Sequence, residues 1–427
     1  MWRHGRKDGP TRKLIFKQFL FFLMAAVLLF QAFQVNADTK AGSFGNKDSS
    51  ENAGHIELHA HLFMKEGMGW TFRGHFDEPL EAKSWRDGFS SQANPETLNK
   101  SNLDITVVSL YAHPLFIRSL RGSIREQIAL TKKFVTEHPQ WAIATDPKMA
   151  RKNLNEGKHV LILSLEGASG ILENDEDLEE FIDRGGIRIV NLLHLTDDQF
   201  GGVAFLGGFK NLASPIALFR SFFVRTFGDE SGKRIRLNSH GLTEEGKVMA
   251  QKLIQRKVWL DLAHASDASQ ADLNSLLNAA GQRPLYTHTT LRKYYGAERG
   301  ISSKQLEEVA KYRGIVGLMP SELMLEGTPS LVSNCRGSIE AFATQYKEVA
   351  AVIGQNATVM GSDINGGIPH LKPACLEGTS LKKEGLWNIG QTPYLWKALY
   401  LLGVATDSDA MRRAQVDRFL DAWAGGR

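Results

Sequence analysis

Residues 159–166 read His-Val-Leu-Ile-Leu-Ser-Leu-Glu, a run of β-formers almost unbroken by polar side chains until it ends on a carboxylate. A continuous apolar run of this length marks a strand buried on both faces, as in a parallel sheet covered by helices. Seven more such runs occur, at 55–62, 104–111, 187–194, 258–264, 284–289, 314–320 and 358–364. Helix signals lie between them. Ser123-Ile-Arg-Glu126 is a capping box followed by Ile128 and Val135 at helical spacing, with Pro139 past the end. Asp175 to Arg184 opens on acids and stops at Gly185, and Thr243 caps a helix reaching Lys257. Ser303 and Ser338 open helices ending near Gly314 and Gly354, and 387–403 and 406–424 close the chain as two more. Strands alternating with helices in this number specify an α/β fold, a (β/α)8 TIM barrel, with a doubly wound open sheet as the alternative. Two connections, after strands 1 and 4, are longer than a barrel requires. Residues 63–103 carry Trp70, His75 and Trp85; residues 197–241 carry Phe205, Phe209, Phe219, Phe222, Phe223 and Phe227. Long insertions of this kind serve as lids or binding walls, or pack as a small satellite core.

Composition narrows the class. Of 427 residues, 42% are hydrophobic and 23% charged, an ordinary globular balance. The net charge of +4 is concentrated at the start: residues 1–37 hold six of the 51 basic residues and one of the 47 acids. The remainder is close to neutral, which argues against a nucleic-acid partner. Residues 1–37 read as an export signal, with a basic opening, an apolar run from Phe19 to Phe33 and small residues at Val35 and Ala37 before a cleavage point. The run is shorter than the ~20 apolar residues of a spanning helix, and an uncleaved membrane anchor is the alternative. Residues 38–54 are small and polar, a flexible lead-in. The barrel and its C-terminal helices then occupy 55–427. In an exported protein the two cysteines, Cys335 and Cys375, read as a bridge. It would close a loop of about 40 residues, worth ~3–4 kcal/mol in the chain-entropy model.

The chemistry of a barrel sits at the C-terminal ends of its strands. Strand 1 carries His59 and His61, which share a face because they are two residues apart, with Glu57 behind them. Strand 3 ends in Glu166, strand 4 in His194, strand 5 in His264 and strand 6 in His288, and strand 8 carries Asp363. Strands 2 and 7 offer Tyr111 and Met319, which are not metal ligands. Five of the 13 histidines therefore fall at strand ends, a small part of the chain. A single histidine there is ordinarily a hydrogen-bonded structural group, and Asp363 alone would read as a helix cap. Five imidazoles and two carboxylates buried at one mouth are costly without a cation. The nitrogen and oxygen donors suit zinc and related divalent metals. A carboxylate bridging two ions ~3.5–4 Å apart would activate water and polarise a carbonyl. The residues by themselves read as a metal-dependent hydrolase with a binuclear site.

Several segments resemble the membrane (renal) dipeptidase family of the amidohydrolase superfamily. They are Leu165-Glu-Gly-Ala-Ser-Gly170, Gly186 to His194, Gly241-Leu-Thr, Val258-Trp-Leu-Asp-Leu-Ala-His-Ala-Ser266, Tyr286-Thr-His-Thr-Thr290 and Gly361-Ser-Asp363, in order from about residue 55 to 370. The resemblance implies a zinc dipeptidase acting through a metal-bridging hydroxide. Glu166 would bridge two zinc ions, with His59 on one and His264 and His288 on the other. Asp363 would be the acid/base group, and His194 would contact the substrate carbonyl or tetrahedral intermediate. Arg299, eleven residues after His288, matches the arginine that holds the substrate's terminal carboxylate; its alternative is a solvated loop residue. The resemblance also implies a small peptide substrate and a homodimer. Three positions depart from the pattern. The family's first motif is His-x-Asp where this chain has His59-Ala-His61; Glu57 replaces an aspartate; and Asp197-Asp-Gln stands where asparagine is usual. Imidazole for carboxylate at His61 leaves the metal pair one charge more positive. The alternatives to a dipeptidase are another amide or lactone hydrolase of the superfamily, or a non-catalytic barrel used for binding.

Overall fold

The computed structural model describes residues 54–66, 76–80, 91–114, 117, 119–207, 224, 226–228 and 232–425. Residues 1–37, read above as an export signal, nearly all of the expected lead-in, Trp70, His75, Trp85, Phe209, Phe219, Phe222 and Phe223 lie outside the described residues.

Eight parallel strands form the barrel: β1 (His55–Ala60), β2 (Leu103–Leu110), β3 (His159–Glu166), β4 (Ile187–Asn191), β5 (Trp259–Asp261), β6 (Leu285–Thr289), β7 (Ile315–Leu318) and β8 (Thr358–Met360). They neighbour one another in the order β5-β4-β3-β2-β1-β8-β7-β6. All of these ladders are parallel. The ring is nearly closed: between β5 and β6 the amide of Leu262 donates to the carbonyl of Leu285 at 2.8 Å. A three-residue strand, Trp141–Ile143, pairs with β3 outside this ring, and Thr226–Gly228 and Arg234–Arg236 make a small antiparallel ribbon in the second insertion. Both were too short to stand out as apolar runs.

Alternation along β3 puts Val160, Ile162, Ser164 and Glu166 on one face. Val160 and Ile162 belong to a cluster with Ile105, Val107, Ile189, Trp259, Leu285, Ile315 and Val359. That cluster continues into Val416, Phe419, Leu420 and Trp423 of the last helix, Asp409–Ala424. The other core packs alternate residues such as Leu161, Leu163 and Leu165 against the surrounding helices. Apolar side chains thus fill the barrel interior, and the polar residues collect at the strand ends. Gly317 and Gly361 are required by the packing: a Cβ on either would stand 2.0 Å or 1.9 Å from the Thr287 carbonyl oxygen.

The helix between Ser123 and Pro139 begins earlier than the capping box suggests, at Leu120–Glu137, because Ser119 is the residue whose hydroxyl accepts from the Gly122 amide. Thr243 and Ser338 stand at N-caps as read, whereas Ser302 rather than Ser303 caps the helix Ser303–Lys311. Leu178–Arg184 is a π-helical turn. The penultimate helix starts at Thr392, beside Pro393 in its first turn. The helices Pro95–Lys100, Pro147–Asn155 and Asp267–Ala280, and the single turns Arg292–Tyr295 and Leu381–Glu384, carry no expectation from the sequence. Among the described residues no helix is long and apolar enough to cross a membrane.

Candidate metal centre

The ends of β1, β3, β5 and β6 converge on one point. The Nε2 atoms of His59 and His61 are 3.2 Å apart, and those of His264 and His288 are 2.9 Å apart. Glu166 lies between the pairs. Its Oε1 is 3.5 Å from His59 Nε2, 3.1 Å from His264 Nε2 and 3.4 Å from His288 Nε2, and its Oε2 is 3.2 Å from His61 Nε2. Two ligand groups share this carboxylate, His59/His61/Glu166 and Glu166/His264/His288, and a third buried grouping, His59/Asp261/His288, adjoins them. His59, His61, Glu166 and His288 are each no more than 3% exposed.

The main chain carries part of this geometry in sparsely populated conformations. His264 has φ 67° and Asp363 φ 59°, the left-handed region that non-glycine residues rarely adopt. Two buried carboxylates brace these turns in the same way. Glu57 Oε1 accepts from the amides of His59 and Ser362, both at 2.8 Å, which ties β1 to the residue before Asp363. Asp261 Oδ1 accepts from the amides of Ala263 and Thr287, both at 3.0 Å, which ties β5 to β6 beside His264. Burial pushes Glu57 up to about 7 and raises Asp261 as well. Asp363 is further held by its amide, which donates to the His59 carbonyl at 2.8 Å. Past it, Gln92 and Asn365 exchange a reciprocal pair of bonds, at 2.6 Å and 2.9 Å, while a His370 ring nitrogen lies 2.8 Å from the Ser362 carbonyl.

The donor set fits a divalent cation. Three of the four clustered imidazoles already have a partner at Nδ1: Thr287 Oγ1 for His59 (3.2 Å) and His288 (3.0 Å), and the Ser109 carbonyl for His61 (3.0 Å). A ring nitrogen facing a carbonyl must donate to it, so His61 carries its proton on Nδ1 and offers Nε2 as a lone pair. Lone pairs that face each other at about 3 Å repel unless a proton or cation stands among them. Burial drives His264 and His288 well below the usual imidazole range, keeping them neutral as ligands must be. Burial would raise Glu166, but the fields of His194 and His59 and the hydrogen bonds of His264 and His59 outweigh it and hold this carboxyl well below its ordinary value. His61 goes the other way. Burial alone would lower it, yet Asp363 and Glu166 beside Nε2 push it up to about 9. Carboxylates that favour a proton at this spot favour a metal cation in its place.

Three further residues surround the cluster. Asp363 Oδ1 is 3.2 Å from His61 Nε2. His194 Nε2 is 3.6 Å from Glu166 Oε1, and its ring meets those of Tyr111 and His264 edge-on, with centroids 4.7 Å and 4.4 Å away. Gly167, at φ 82°, admits this approach, since a Cβ there would stand 3.1 Å from His194 Cβ. Arg299 is 4% exposed, so it is not the solvated loop arginine. Its Nη2 lies 3.2 Å from His264 Nε2 and donates to the His288 carbonyl at 3.1 Å, while its buried Nε has no hydrogen-bond partner. Of the residues singled out in the sequence, His59, His61, Glu166, His194, His264, His288, Arg299 and Asp363 come together here. Tyr111, no ligand, walls the site against His194. Asp261, Thr287, Gln92, Asn365 and His370 were not singled out. Asp261 and Thr287 carried one signal, a polar side chain within an otherwise apolar run two or three residues before the strand end. Cys335 and Cys375 are far along the chain and form a disulfide, with Cα atoms 6.1 Å apart; the nearby grouping with Glu340 is therefore no ligand set.

A sequence model of the membrane dipeptidase family, peptidase family M19, matches residues 221–383. That segment contains His264, His288, Arg299 and Asp363; the first half of the barrel, with its His-x-His, lies outside the match. Among solved structures the chain is similar to a metallopeptidase from Rhodobacter sphaeroides liganded with a phosphinate mimic of the dipeptide L-Ala-D-Ala. The TM-score is 0.63 at 16% identity, over 88% of this chain and 99% of that one. It is also similar to dipeptidase AC, a metallopeptidase of family M19, with TM-score 0.61 at 17% identity over 88% of this chain and 100% of the other. A third is the probable dipeptidase PvdM from Pseudomonas aeruginosa, with TM-score 0.62 at 12% identity over 95% and 98%. At such identities the likeness is one of fold, and it is to the same barrel. Residues 221–383 thus match the membrane dipeptidase family, and the chain reads as a metal-dependent hydrolase.

Proposed function

We propose that this chain is an exported zinc-dependent dipeptidase, hydrolysing the peptide bond of short substrates that end in a free carboxylate. The observation that carries the reading is the Glu166 carboxylate set between two pairs of converging imidazole Nε2 atoms, with Arg299 directly beside them. His59, His61 and Glu166 would hold one zinc ion, and Glu166, His264 and His288 a second. Bound zinc supplies Lewis acidity, polarising the scissile carbonyl and acidifying a water. The chain's own residues supply the rest. Asp363, whose amide donates to the His59 carbonyl next to the Ser362 amide held by Glu57, would take a proton from the attacking water and return it to the leaving amine. His194, buried against Tyr111, is positioned to donate to the substrate oxygen as negative charge develops there. The unpartnered Nε of Arg299 offers a charged donor for the terminal carboxylate. Export is supported by the basic-apolar N-terminus and fits the disulfide.

Steady-state kinetics on Arg299→Ala test the substrate assignment. Truncation should raise KM at least tenfold for dipeptides while leaving hydrolysis of neutral amides or lactones unchanged. Equal losses on both classes would contradict a carboxylate-directed peptidase.

A further inference from the structure

Thr287 occupies a position that ligand geometry alone does not require. Its hydroxyl lies 3.2 Å from Nδ1 of His59 and 3.0 Å from Nδ1 of His288, and it donates to Oδ2 of Asp261. The two imidazoles belong one to each ligand group, with ring centroids 3.8 Å apart. A hydroxyl has one proton and two lone pairs. With the proton given to Asp261, both lone pairs accept, so both imidazoles must donate from Nδ1. Each then presents its Nε2 lone pair to the cluster. Asp261 is itself held in place, because its Oδ1 accepts from the amides of Ala263 and Thr287. The Thr287 main chain is fixed too, with Gly317 and Gly361 packed against its carbonyl. His61 is independent of this arrangement, since its Nδ1 donates to the Ser109 carbonyl.

We propose that Thr287 is a positioning residue whose single hydroxyl, backed by Asp261, sets His59 and His288 as Nδ1–H tautomers and so prepares both ligand groups at once. The inference rests on the metal-centre reading above and not on the identity of the substrate. One β6 hydroxyl thereby couples the two halves of the centre.

The test is zinc binding by the purified chain, measured by competition with a chromophoric chelator, together with side-chain 15N NMR of the histidines. Thr287→Val keeps the shape and removes the hydroxyl. It should weaken both zinc equivalents about 10–100-fold, and His59 and His288 should lose their fixed Nδ1–H signature while His61 keeps its own. Thr287→Ser should restore both. Asp261→Asn serves should the valine variant not fold. Its amide nitrogen would face the hydroxyl and donate to it, turning the hydroxyl proton onto one imidazole and forcing that ring out of the Nδ1–H form, again with weaker zinc binding. Wild-type zinc affinity in both Thr287→Val and Asp261→Asn, or loss of only one zinc equivalent in the valine variant, would overturn the proposal. These readouts need no dipeptide. A wild type that binds zinc yet hydrolyses none would sink the dipeptidase assignment while leaving the role of Thr287 standing.

Discussion

His61 is the residue at which this centre departs furthest from the His-x-Asp pattern. It replaces a carboxylate with an imidazole whose Nε2 sits 3.2 Å from both Glu166 and Asp363. A bound cation there keeps one more unit of net positive charge, which lowers the pKa of a coordinated water. His61→Asp should therefore move the acid limb of the pH profile of kcat/KM upward, read from rates on one dipeptide across pH 5–9 or so. An unmoved limb would mean that His61 does not tune the centre. At this scale the converging imidazoles and carboxylate were legible because each stands at or near the end of an apolar run, where a polar residue needs a reason. Thr287 and Asp261 were not. Threonine is an ordinary β-former, and the contact joining them to His59 exists only once the ring brings β1, β5 and β6 together.

Among the elements, the second insertion is joined to the site through Glu298. This buried carboxylate accepts from the amides of Phe205 (3.0 Å), Asn238 (2.8 Å) and Asp267 (3.0 Å), so both flanks of the insertion meet the first turn of the helix Asp267–Ala280 one residue from Arg299. Phe205 is buried beside it, whereas Phe227 on the small ribbon is 51% exposed. Burial pushes Glu298 from 4.5 up to about 8. The folded chain then holds a proton that the unfolded chain has already released, so this group makes stability fall as pH rises from about 4.5 to about 8. Glu298→Gln, which cannot titrate, should lower Tm overall but lack that decline. The gap in Tm between wild type and variant should narrow toward pH 8, and a constant gap would contradict the assignment. The eight strands were readable because buried parallel strands need near-continuous β-formers. The helix Asp267–Ala280 was not, because its cap, Ser266, lies inside the strand-end segment and its first turn, Asp-Ala-Ser-Gln, carries no apolar stripe.

For the molecule as a whole, the barrel brings together site residues spread from residue 59 to residue 363, so the centre exists only in the folded chain. Two devices stabilise that state from different ends. The disulfide Cys335–Cys375 closes a 40-residue separation; replacing both cysteines with serine should cost ~2–5 kcal/mol, read as a lower denaturant midpoint. Metal that binds only the native state adds stability that grows with its free concentration. The measurement that bears most directly on the metal-dependent dipeptidase itself combines metal content with turnover. The purified chain is assayed on a panel of L,L- and L,D-dipeptides as isolated, after exhaustive chelation, and after zinc is restored. About two zinc ions per chain, hydrolysis of at least one dipeptide, loss of turnover on chelation and recovery with zinc are expected. A chain that takes up no zinc, or that holds two and cleaves no dipeptide, would contradict this.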